Sequence, residues 1–76
     1  MSARLPSLTP REVVAALRQA GFVFHHQRGS HAFYQHQHHP LHWVTVPMHA
    51  KSIKKGTPRS IIRQSRLSHD EFLGLL

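Results

Sequence analysis

Histidine is the side chain this sequence offers most freely for chemistry: nine stand among 76 residues, beside ten Lys or Arg, three Asp or Glu and no Cys. An imidazole exchanges its proton near neutral pH, so it serves as general acid, general base or metal ligand. Position separates the nine. His36, His38, His39 and His42 crowd one short stretch with neither regular ligand spacing nor an acidic or thiolate partner. Such a tract takes up Ni²⁺ or Zn²⁺ adventitiously, and solvated loop histidines are the simpler description. His25 and His26 are neighbours in a strand-like run, where alternation sends them to opposite faces and prevents joint chelation. His69 falls in the first turn of a helix and needs no functional account. His31 differs, because it follows Gly29-Ser30 where the chain leaves a tight hairpin, with Arg28 just before the turn. Glycine there allows close approach to a ligand, and the turn holds the imidazole. When a 2′-hydroxyl attacks its own phosphodiester, proton transfer and cations around the phosphorane suffice, and these residues offer both. An ordinary hairpin histidine fits the same short tripeptide.

The cations extend the anion-binding surface. Lys51, Lys54 and Lys55 lead into Gly56-Thr57 at a helix start, where free N–H groups and the helix dipole favour phosphate. Arg59 and Arg63 lie one turn apart on that helix and continue the strip. A solvated loop feeding a helix is the plainer alternative, but the net charge of +7 favours phosphate. Phe33, Tyr34 and Trp43 are able to stack bases, although strand aromatics of a small protein more often pack the core.

The three acids are all placed by local structure. Glu12 and Glu71 sit at the third position of capping boxes opened by Thr9 and Ser68, and Asp70 lies in a first turn. No carboxylate is left for a Mg²⁺ site, a carboxylate pair or a Ser-His-Asp triad. Any chemistry on nucleic acid then proceeds without a carboxylate-bound metal, which leaves histidine, lysine and arginine.

The elements that must position these residues are legible. Residues 1–8 carry no periodicity and read as a leader to a folded core over 9–76, all in one domain. Thr9-Pro10 starts a helix over 10–20, with Val13, Val14, Leu17 and Ala20 at helical spacing and Gly21 ending it. Strands follow over 22–28, 31–36 and 42–46, joined by the Gly29-Ser30 turn and the Gln37–Leu41 loop and closed by Pro47. Thr57-Pro58 opens a second long helix through Ile61 and Ile62 to about Ser65. A last turn or two follows the Ser68 box. The expected fold is α+β: an α-β-β-β-α order, with a three-stranded antiparallel sheet carrying its helices on one face.

Composition narrows the class further. A chain this short buries only about 60% of its unfolded surface, so the core is thin. Lack of cysteine excludes disulfide scaffolds and thiolate zinc fingers. The apolar runs are too short for a membrane span or a signal peptide, so the cytoplasm is the expected compartment.

Several segments, taken in order, carry a family pattern. They are Glu12-Val13-Val14 through Leu17 with Gly21-Phe22; Gly29-Ser30-His31, the aromatic strand and His36; and Val44-Thr45-Val46-Pro47 with His49. Lys55-Gly56-Thr57, Arg59-Ser60-Ile61-Ile62, Gln64, Leu67-Ser68 and Glu71-Phe72-Leu73 complete it. From Thr9 to Leu76 the chain resembles the HicA toxins, small ribonucleases of toxin–antitoxin systems. The resemblance implies a double-stranded-RNA-binding-domain-like fold that cleaves mRNA without a metal and so arrests translation. It implies that His31 is catalytic, and that a HicB antitoxin covers the site and brings the complex to operator DNA through its own DNA-binding part. The chain departs from the pattern in three places: the long Gln37–Leu41 loop, His26 where arginine is common, and Arg66 where glycine is common. The first two bear on RNA or antitoxin contact; the third stands where positive φ is expected, at a cost of about 1 kcal/mol.

His31 is thus the expected catalytic residue, with His49, His36 or water open as its partner in proton transfer. Arg28, Gly29, Ser30, Lys51, Lys54, Lys55, Thr57 and Arg59 are the expected RNA contacts. A non-catalytic RNA-binding module of the same fold is the alternative, and a metal-sensing histidine protein a third.

Overall fold

Thr9 caps the first helix as its sequence requires: Glu12 N–H donates to Thr9 Oγ1 at 3.2 Å and Thr9 N–H to Glu12 Oε1 at 2.9 Å. The structure is a computed structural model and describes residues 8–49, 52–53 and 56–76, with the backbone alone at 56–58. The elements are α1 (Pro10–Gln19), β1 (Phe22–Arg28), β2 (His31–His36), β3 (Trp43–Pro47), α2 (Gly56–Ser65) and α3 (His69–Leu73). The strands form one antiparallel sheet in the order β1-β2-β3. The α+β expectation holds, helices on one face included.

Period-two alternation makes the sheet two-sided. Ala32, Tyr34, Val44 and Val46 point inward and join Val13, Ala16 and Leu17 of α1, Ile61 and Ile62 of α2 and Phe72 of α3 in one core. Each large side chain there contributes about 1.5–3 kcal/mol by leaving water. The residues between them, His31, Phe33 and Gln35 on β2 and Trp43 and Thr45 on β3, occupy the opposite, open face.

Three expectations need adjustment. Leu8, read as leader, is 3% exposed and bridges Ile53, itself 1% exposed, through a bond from Ile53 N–H to the Leu8 carbonyl. Neither residue sits in a periodic run, so only chain return brings their apolar side chains together. Strand β3 is shifted by one residue, to Trp43–Pro47, because Pro47 still pairs with His31. Helix α2 begins at Gly56, one residue before the expected cap at Thr57.

The ends of the elements follow local chemistry. Gly21 adopts φ +98° after α1, and Arg66 adopts φ +68° after α2. Ser65 is buried but satisfied, its hydroxyl donating to the Ile62 carbonyl at 2.6 Å and accepting from Leu67 N–H at 3.2 Å. Ser68 and Glu71 complete the second capping box, with bonds of 2.7 and 3.1 Å. Among the described residues no helix is long and apolar enough to cross a membrane.

Candidate active site

The β1–β2 connection has two residues, Gly29 and Ser30, between the cross-strand partners Arg28 and His31. Gly29 has φ +58° while Ser30 stays at negative φ, which fits a type II′ turn with glycine first. A Cβ on Gly29 would meet nothing within 4 Å, so its glycine serves the backbone angle and the space above the turn is open. Gln27 steadies the turn by donating from Nε2 to the Gly29 carbonyl at 2.9 Å. His31, first residue of β2, is exposed, and its partnership with Arg28 puts imidazole and guanidinium on the same sheet face.

The exit of β3 closes on this turn. Pro47 is opposite His31, and Met48 N–H donates to the Ser30 carbonyl at 2.8 Å. That bond carries His49 to His31: their ring centroids are 6.2 Å apart with the planes at 71°. Of the two residues left open as proton-transfer partners, only His49 lies beside His31.

His36 stands five residues along β2, roughly 17 Å away at strand rise. Its ring is also committed elsewhere. His38 N–H donates to Nδ1 at 3.0 Å, which makes Nδ1 an acceptor, and Nε2 then donates to the Ala20 carbonyl at 3.0 Å. The ring also meets Phe22 edge-on at 5.0 Å. His36 is therefore a structural tie between β2 and the end of α1. His39 and His42 stack at 4.9 Å in the following loop. Partial burial, then Arg66, His39 and His36, hold the His42 imidazole below its ordinary value. Among the described residues no three metal-ligating side chains converge.

The expected separation of His25 and His26 is overturned. The register shifts between Phe24, opposite Tyr34, and His26, opposite Phe33, leaving His25 as the extra residue of a β-bulge. Strict alternation fails there, and the two Nδ1 atoms come within 2.8 Å. Their rings join Phe33 and Trp43, whereas Tyr34 belongs to the core.

The cations divide. Arg28 adjoins His31, and Arg59 is exposed on α2. Lys51, Lys54, Lys55 and the Thr57 side chain lie outside the described residues. A shallow groove lined by Leu41, His42, Trp43, Arg63, Gln64 and Arg66 runs beside the β3 edge. Gln64 covers that edge, its Oε1 accepting from Thr45 N–H at 3.1 Å. The signal for His49 was present in the sequence, but nothing local ranked it; the bulge gave none.

No curated protein matches the chain significantly. The family model described as the HicA toxin of bacterial toxin–antitoxin systems matches residues 10–67, from the first turn of α1 past the end of α2, and so spans His31, His36 and His49. With three quarters of its length covered and the expected helix and strand order observed, the chain belongs to the HicA toxin family.

Proposed function

We propose that this toxin is an endoribonuclease that cuts mRNA without a metal, with His31 as a catalytic residue and His49 as its partner in proton transfer. The observation that carries this reading is the approach of two exposed imidazoles to 6.2 Å at the open end of the sheet. One imidazole takes the proton of the 2′-hydroxyl as its oxygen bonds to phosphorus. The phosphorus–5′-oxygen bond breaks, and the other imidazole gives a proton to the departing oxygen, leaving a 2′,3′-cyclic phosphate and a 5′-hydroxyl. Arg28, on the same face, offsets the charge of the phosphorane. Gly29 and Ser30 let the strand approach, and Lys51, Lys54, Lys55, Thr57 and Arg59 are the proposed contacts to its phosphates. The acids support a mechanism free of carboxylate-held metal, since Glu12 and Glu71 are bound in capping boxes and Asp70 lies in the first turn of α3. The antitoxin, a HicB-like protein in this reading, inhibits by covering this end of the sheet.

The test is cleavage of a long mRNA in EDTA. Wild-type protein shortens it, and His31→Ala binds it but cuts at least about 100-fold more slowly. Equal cutting by the variant overturns the assignment, and cutting by neither protein leaves an RNA-binding module.

A further inference from the structure

The bulge in β1 has built something on the open face that strict alternation would not. His26 stacks on Phe33 with centroids 4.6 Å apart and planes within 6° of parallel. Trp43 meets His25 at 4.8 Å and His26 at 6.3 Å, both edge-on. Four rings from three adjacent strands thus form one continuous surface, with His25 and His26 exposed and Phe33 and Trp43 half-buried. Phe33 is two residues along β2 from His31 on the same face, so the surface borders the proposed cleavage site.

We propose that His25, His26, Phe33 and Trp43 form a stacking platform for unpaired nucleobases of the RNA strand presented to His31. This deepens the ribonuclease reading and rests on it for the identity of the ligand. Charge selects the occupant. The chain carries +7, and its three carboxylates lie in the first turns of α1 and α3, so none faces this side of the sheet. A polyanion that also offers flat aromatic rings fits such a face, and single-stranded RNA is that ligand. Paired bases already stack on one another, so a duplex has no ring to offer. The substrate is accordingly a single-stranded segment, held by base stacking beside His31 and by cations along its backbone.

Trp43 is the only tryptophan, so its fluorescence reports on the platform directly. A fully 2′-O-methylated dodecanucleotide lacks the attacking hydroxyl and therefore measures binding without cleavage. Titrated into wild-type protein, the single strand is expected to quench Trp43, and its duplex to do so at least tenfold more weakly. His26→Ala and Phe33→Ala should each weaken single-strand binding by roughly fivefold to a hundredfold, the range for loss of one base–aromatic stack. His26→Phe, which keeps the flat ring and loses the proton, should bind within about threefold of wild type. His26 is exposed, so its variants keep the experiment decisive if Phe33→Ala fails to fold. Equal quenching by duplex and single strand overturns the proposal, as does unchanged affinity in His26→Ala. A Trp43 signal silent to RNA also overturns it and leaves the face to a protein partner. Failure of the catalytic reading looks different: His31→Ala would still cut RNA while the oligonucleotide response stood.

Discussion

Gly21 and the His36 ring occupy one corner of the molecule so tightly that a Cβ on Gly21 would stand 2.8 Å from His36 Nε2. The same nitrogen is bonded to the Ala20 carbonyl, so the glycine, the end of α1 and the far end of β2 are fastened at one point. Gly21→Ala is expected to destabilise the protein by about 1–3 kcal/mol, because it forces an L-residue to φ +98° and displaces the ring. Urea unfolding of Gly21→Ala, His36→Ala and the double variant separates the two causes. The double variant should lose less than the sum, the difference being the steric part.

His49→Ala is expected to lower kcat by roughly 100-fold or more while leaving RNA affinity within a few-fold, since its proposed task is proton transfer. The wild-type pH–rate profile should be bell-shaped, and the variant should keep only one limb. A fall in affinity with an intact bell would make His49 a phosphate contact instead. His36→Ala should leave the bell in place, because that ring lies at the other end of the strand with both nitrogens engaged.

Arg66 holds a left-handed backbone, φ +68°, in the turn between α2 and α3. Arg66→Gly relieves about 1–2 kcal/mol of that strain and returns part of it as unfolded-chain entropy, for a net gain of roughly 0.5–1 kcal/mol. Thermal unfolding should move upward by about 2–8 °C. Arg66→Ala keeps the strain, so it should not share the gain.

Glu71 accepts hydrogen bonds that favour its charged form, from Ser68 N–H and the Ser68 side chain, and these hold its carboxyl below the usual glutamate range. A depressed folded value means that the unfolded chain takes up this proton first. The contribution of Glu71 to stability is therefore complete above its ordinary value of about 4.3 and fades as pH falls through the lower folded one. Comparing thermal unfolding of wild type and Glu71→Gln between pH 7 and pH 3 should show the wild-type advantage shrinking toward acid. An advantage independent of pH would contradict it.

Local chemistry sufficed for much of this protein. Thr9 and Ser68 announced their helices because a capping box needs only four consecutive residues, and Gly29 announced its hairpin because few residues tolerate φ +58°. The strand-prone runs over 22–28 and 31–36 flanked that turn in the sequence, and Gly29-Ser30-His31 marked the histidine to mutate first. All of these signals lie within a few residues of one another.

What the tertiary structure decided lies beyond that range. Leu8 entered the core because Ile53, 45 positions later, returned to bridge it. His49 was distinguished from His36 by one bond between Met48 and Ser30, on opposite sides of the sheet's second connection. His25 and His26 came to share a face because register with β2 slips by one residue, a choice made by strand pairing and invisible in either strand alone. Sequence patterning sets which face of each element is apolar, since burial acts residue by residue. Which polar groups meet on the other face depends on register and chain return, and those are settled only when the whole sheet forms.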